Sequence, residues 1–266
     1  MKPAKFDYLR PESLDEALAM LSADDGERPI AGGQSLLPLM NLRLARPSAL
    51  IDVGRLPLRF IEEEPGGLRI GALVTHAELE RSPVVRTRAP LLARAAHAVG
   101  HLAIRARGTL GGSLAHADPA AEELAAVIAL DAELEVRSLR GVRTLRATEL
   151  GLGPWTTALE SDELVVAVRF SAPPLGWGFS EFALRSGDFA LAGACVALVA
   201  GGLRVAVFGP CPTPRPITID TADSVRAGQQ AAAEVELSEG DDPDWRRALV
   251  AHEVETAAAA ALAGVL

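Results

Sequence analysis

The sequence predicts an α+β fold: two α/β units followed by a C-terminal three-stranded antiparallel sheet with helices, divided as 1–55, 56–174 and 175–266. Three observations carry this reading. Strand and helix signals alternate through the first 55 residues, the middle is dominated by hairpin-like runs and helices, and Ala172-Pro173-Pro174 marks a break before a final meander. With 266 residues and an apolar fraction of 49%, the chain has the material for substantial cores.

In the first unit, Ser13-Leu14-Asp15-Glu16 has the form of a capping box and opens a helix with Ala17, Leu18 and Leu21 on one face. Arg28 to Ala31 reads as a short strand, a glycine loop follows, and Ala49 to Val53 reads as a second strand. In the second unit, Leu58–Glu63 and Leu68–Gly71 flank Pro65-Gly66-Gly67 as a hairpin. Thr75-His76-Ala77-Glu78 is a second capping box, and Pro90 to Val99 is helical by composition. Asp118-Pro119 predicts a helix start that runs on to Leu130, with Asp as N-cap and Pro in the first turn. Glu133 to Leu145, broken at Arg140-Gly141, and Glu163 to Phe170 read as strands. In the third unit Phe179–Leu184, Leu191–Ala200 and Leu203–Phe208 are three antiparallel strands, with Gly201-Gly202 as a turn. Pro210 to Pro216 is a loop, and the Ala-rich stretch Pro243 to Leu266 is a terminal helix.

Composition excludes several function classes. A net charge of −9, from 35 acidic and 26 basic residues, offers neither a nucleic-acid surface nor attraction to anionic lipid. No stretch approaches the ~20 apolar residues of a membrane span, and the N-terminus lacks the apolar core of a signal peptide, so the cytoplasm is the expected location. Two cysteines, Cys195 and Cys211, are too few for a Cys-ligated cluster. No histidine pair has metal-ligand spacing, and no Ser/His/Asp arrangement points to a catalytic residue in this chain.

Two glycine-rich loops remain. The first is Ala31-Gly32-Gly33-Gln34-Ser35-Leu36-Leu37-Pro38, and the second is Arg107-Gly108-Thr109-Leu110-Gly111-Gly112-Ser113-Leu114. Paired glycines let successive backbone N–H groups converge on an anion, and two such loops read as opposite walls of one pyrophosphate site. Neither has the spacing of a dinucleotide-binding Rossmann turn or a P-loop. His101 and His116 flank the second loop and are placed to approach a ligand, whereas His76, His97 and His252 read as surface or internally satisfied groups.

These loops, together with Ile104-Arg105-Ala106, His116-Ala117-Asp118-Pro119-Ala120-Ala121-Glu122 and Phe182 to Ala190, resemble the FAD-binding medium subunits of molybdenum-containing hydroxylases, the carbon monoxide dehydrogenase and xanthine dehydrogenase group. The resemblance spans essentially the whole chain. It implies that the two α/β units are FAD-binding subdomains with an extended, non-covalent FAD between them. It implies that Ala31, Gly32, Gly33, Gln34, Ser35 and Leu36 hold the pyrophosphate on one side, with Thr109, Leu110, Gly111, Gly112 and Ser113 donating backbone N–H groups from the other. By the same resemblance Glu122, where many relatives carry Asp, contacts the adenosine ribose. His101, Val165 and Phe189 lie toward the cofactor, although Val165 and Phe189 read equally well as core strand residues. Ala106 departs from the Asn common at its position.

The family further implies a heterotrimer. A large partner subunit binds the molybdenum cofactor, a small partner carries [2Fe–2S] clusters, and FAD passes their electrons to an external acceptor. The alternative is a self-contained flavin-dependent oxidoreductase, which usually needs a substrate-binding domain that this chain lacks.

Overall fold

The computed structural model describes residues 2–264 except Asp24 and Asp241. Three main sheets organise the chain, and the local chemistry of the sequence explains most of their elements.

The first sheet is parallel, in the spatial order Asp7–Leu9, Ala49–Asp52, Arg28–Ile30. Against it packs the helix Leu14–Leu21, whose N-cap Ser13 accepts the Glu16 N–H at 3.1 Å. Glu16 reaches back one residue further than a capping box requires, accepting from the Glu12 N–H. Ala17, Leu18 and Leu21 are buried against Ile51, Val53, Leu73 and Val166, which ties this sheet to the next. The strand Arg28–Ile30 empties at its C-terminal end into the first glycine loop, which leads to the helix Leu36–Asn41. Ligands of parallel α/β sheets sit at that end of the strands.

The second sheet is antiparallel and five-stranded, in the order Ile61–Glu64, Gly67–Gly71, Leu164–Phe170, Glu133–Ser138, Gly141–Arg146. The hairpin turn falls at Pro65-Gly66, where Gly66 takes a φ of +84° that a side chain would resist. The Thr75 hydroxyl and the Glu78 carboxylate complete the capping box that starts the helix His76–Arg81. The helices Pro90–Ala98 and Glu122–Ala129 contribute their apolar residues to the core formed with this sheet.

The helix predicted with Asp118 as its N-cap starts three residues later, at Glu122 with Ala121 as N-cap. Ala117 is left-handed (φ +48°), and the Asp118 carboxylate accepts the Ala120 N–H two residues on, so Asp118 closes a turn instead of capping a helix.

The C-terminal sheet has four strands, not three: Gly176–Phe182, Ala192–Val199, Gly202–Phe208 and Pro216–Ile219. The fourth follows a proline-rich loop and begins with Pro216. An edge strand tolerates that residue, because one of its sides needs no ladder donor. The helices Ser224–Glu234 and Pro243–Ala263 cover this sheet, burying Ala227, Ala231, Ala257, Ala258 and Ala261. The last two residues of the predicted terminal helix lie outside the described residues. Cys195 and Cys211 are free and buried, and burial raises both thiols, Cys211 to about 12, so neither is a ready nucleophile. Among the described residues no helix is long and apolar enough to cross a membrane.

Candidate functional site

The two glycine loops meet. A Cβ built on Gly32 would fall well inside 3.0 Å of the Arg107 carbonyl oxygen and 2.8 Å from Gly108 Cα. The first loop therefore rests backbone to backbone on the start of the second, and only glycine permits that approach. Next to it, Gly33 adopts a φ of +71°. Its carbonyl accepts the Leu37 N–H, which opens the helix Leu36–Asn41. Ser35 supplies no side-chain cap. Among the described residues, the N–H groups of Gly33, Gln34, Ser35 and Leu36 donate to no protein acceptor. Four consecutive donors on one loop form the kind of concave nest that binds an anion. The Gln34 side chain braces the loop by donating to the Gly32 carbonyl at 3.1 Å.

The second loop is used differently from the sequence expectation. Four of the five N–H groups assigned to an anion are already bonded within the protein. Leu110 donates to Val74 O, Gly111 to Ala72 O, Ser113 to Thr109 O, and Gly112 to the Thr109 hydroxyl. Thr109 is the N-cap of the helix Leu110–His116, and that helix needs these bonds to start. What the loop leaves open is the Thr109 N–H and the Ser113 hydroxyl, neither of which bonds to a described protein group. Gly111 is required for packing: a Cβ there would lie 2.5 Å from Ala72 Cβ and 3.0 Å from Ala72 O.

The other predicted residues lie around this junction. His101 is exposed, and a Cβ at Gly187 would collide with its ring. The loop carrying Phe189 is thus pressed against the segment leading into the second glycine loop. Phe189 itself is 75% exposed and belongs to no strand, so the core-strand alternative for it fails. Val165 is buried in the strand Leu164–Phe170, opposite Val136. Its neighbour Val166 accepts the Ala72 N–H, so that strand supports Gly111 through Ala72. His116 is half-buried, and loss of water lowers its tendency to hold a proton.

Glu122 is 9% exposed at the start of the helix Glu122–Ala129, and among the described residues its carboxyl has no hydrogen-bond partner beyond its own backbone N–H. Burial pushes its pKa up to about 8, with the Glu181, Glu123 and Asp118 carboxylates adding repulsion. Because the folded chain holds this proton more tightly than the unfolded one, the stabilising contribution is complete below about 4.5, the unfolded value. It is lost as pH rises through about 8. Glu122→Gln is therefore expected to melt at higher temperature than the wild-type chain near about pH 9, with the gap closing by about pH 5. Thermal melts of the flavin-free proteins check this, and parallel pH profiles would contradict it.

Sequence reasoning missed one pair. His76, read as a surface or internally satisfied group, is the latter: it is buried, and its Nδ1 lies 2.7 Å from Oε1 of the fully buried Glu123, a partner the sequence reading did not name. The available signal was a second acid, Glu123, placed directly before the apolar run Leu124–Leu130.

Residues 4–173 match the family model described as the FAD binding domain in molybdopterin dehydrogenase. The medium subunit of nicotine 6-hydroxylase from Paenarthrobacter nicotinovorans is 45% identical over 206 residues, 77% of this chain and 73% of the relative. The carbon monoxide dehydrogenase medium chain of Hydrogenophaga pseudoflava is 38% identical over 222 residues, 80% of this chain and 77% of its own. Among solved structures, a chain of that organism's carbon monoxide dehydrogenase superposes with a TM-score of 0.90 at 35% identity, covering 99% of both chains. A chain of quinoline 2-oxidoreductase from Pseudomonas putida 86 gives the same TM-score and identity, covering 100% of this chain and 99% of that one.

Proposed function

The chain belongs to the FAD-binding family of the molybdopterin dehydrogenases, and from that premise we propose that it is the electron-transfer subunit of a molybdenum hydroxylase-type complex. In this reading a large partner subunit holds the molybdenum cofactor and oxidises the organic substrate; the relatives are named as the medium subunit or medium chain of their own enzymes, which supports a multi-subunit setting. A small partner carries [2Fe–2S] clusters, and this chain carries non-covalent FAD between those clusters and an external acceptor. The division 1–55, 56–174 and 175–266 goes with the proposal, the cofactor lying between the first two units.

The observation that carries the proposal is the run of four N–H groups, Gly33 to Leu36, without an acceptor among the described residues, beside a backbone junction that only Gly32 permits. A pyrophosphate fits that donor set, because it brings acceptors and negative charge and asks for no metal or cationic side chain. Gly33, Gln34, Ser35 and Leu36 would hold it from one side, with the Thr109 N–H and the Ser113 hydroxyl facing them. Glu122 is the acid nearest the role of ribose partner: protonated or not, its carboxyl retains an acceptor. Phe189 and His101, on adjoining exposed segments, are the groups available to the flavin ring. When bound, FAD supplies a redox centre that accepts two electrons and releases them singly or as a pair. The protein's part is to position that centre and to tune its surroundings.

Expression with candidate large and small partner chains tests the proposal. Flavin bleaching by the organic substrate is expected only in the assembled complex. Substrate-dependent bleaching in the isolated, FAD-loaded chain would favour a self-contained oxidoreductase instead.

A further inference from the structure

The buried pair Glu123–His76 has no role in the reading above. Glu123 enters from the helix Glu122–Ala129 and is fully buried. Its Oε1 lies 2.7 Å from His76 Nδ1, and its Oε2 is buried without a partner. A carboxylate accepts, so the imidazole donates through Nδ1–H, which fixes the plane and the tautomer of the ring. Because this is the single hydrogen bond on that carboxylate among the described residues, breaking it strands a buried acid, and the ring is held correspondingly firmly.

The opposite edge of the imidazole lies on the second glycine loop. A Cβ at Gly108 would fall 2.6 Å from His76 Cδ2 and closer still to Nε2. The His76 N–H donates to the Gly108 carbonyl at 3.1 Å, and Thr75 forms a β-bridge with Thr109. Backbone and ring of one residue thus grip the Gly108 peptide. Gly32 rests on the preceding peptide, Arg107–Gly108, with its built Cβ 2.8 Å from the Gly108 Cα that the two peptides share. The sequence of contacts is Glu123, His76, Gly108, Gly32, and then the four free N–H groups.

We propose that the Glu123–His76 pair is a positioning element for the pyrophosphate of FAD, fixing Gly108 and through its Cα the Arg107–Gly108 peptide on which the first glycine loop is seated. An apolar pair would fill this space without burying a half-satisfied acid. The polar pair adds a directional constraint at the point where the two loops meet. The inference rests on the FAD reading given above.

The test uses the full-length chain, FAD titrations, and the ³¹P spectrum of bound FAD. His76→Leu is expected to weaken FAD binding by about thirtyfold or more and to move the pyrophosphate resonances toward those of free FAD at saturation. Glu123→Gln keeps an acceptor at the Oε1 position and is expected to stay within about threefold of wild type with unshifted resonances. Should His76→Leu fail to fold, His76→Gln takes its place, with a loss of about tenfold expected. A purely structural pair would lower the melting temperature and leave the dissociation constant and the ³¹P signals alone, and that result overturns the inference. Failure of the FAD reading is distinct from this, because the wild-type chain itself would then bind no FAD or bind FMN equally well.

Discussion

Gly32→Ala is expected to cost FAD binding about 3 kcal/mol, close to a hundredfold in Kd, although it adds a single methyl group. The added carbon would be placed inside contact distance of the Arg107 carbonyl and of Gly108 Cα. Both are backbone atoms, so no side chain can rotate away. One loop must therefore retreat from the other, and the N–H groups of Gly33 to Leu36 retreat with it. The separate core under the C-terminal sheet, to which Ala257 and Ala261 belong, is expected to be unaffected. Isothermal titration with FAD, alongside circular dichroism of the same variant, measures the effect. A folded variant with wild-type affinity would show that the junction does not control the site.

The second large effect is expected from Gly111→Val, and it acts through the fold as well as the site. The helix Leu110–His116 docks on the segment after the strand Gly67–Gly71 through Gly111, whose N–H bonds Ala72 O at 2.9 Å. The first side-chain carbon would already sit 2.5 Å from Ala72 Cβ, and valine adds two more. Overpacking of this kind costs about 3 kcal/mol where the neighbours are backbone and core. In urea the midpoint is expected to fall with the slope unchanged, and FAD affinity to drop because Thr109 moves with the helix. An unaltered midpoint would contradict the docking role of Gly111. This is a different reason from the one a glycine-rich motif suggests, in which the glycine makes room for phosphate.

That difference shows what was legible in the sequence and what was not. Local chemistry was readable: the Thr75–Glu78 capping box, the Pro65-Gly66 hairpin and the run of strands after Gly176 follow from near-neighbour rules. The two loops were recognisable as places of close backbone approach because paired glycines are costly anywhere that such approach is not needed. Which glycine served which purpose was not legible. Gly32 faces Arg107 and Gly111 faces Ala72, pairings fixed by tertiary docking across many residues. The His76–Glu123 bond joins residues 47 apart in the chain, and neither flanks the other in any motif. The helix at Glu122 was placed too early because Asp118-Pro119 satisfies the rules for a helix start and for a turn alike. The left-handed Ala117 and the Ala120 N–H decide for the turn. Pro216–Ile219 was passed over because proline argues against a strand unless the strand lies at an edge.

The central claim is that the first glycine loop grips a pyrophosphate. The most direct measurement is a titration of the flavin-stripped chain with FAD and, in parallel, with FMN, followed by flavin fluorescence and by the ³¹P spectrum. FMN has the flavin ring and a single phosphate but no pyrophosphate. The account predicts saturable FAD binding at least about a hundredfold tighter than FMN, with both phosphorus resonances displaced on binding. Equal affinities for the two flavins, or FAD binding that leaves the phosphorus signals where they are in free FAD, would contradict it.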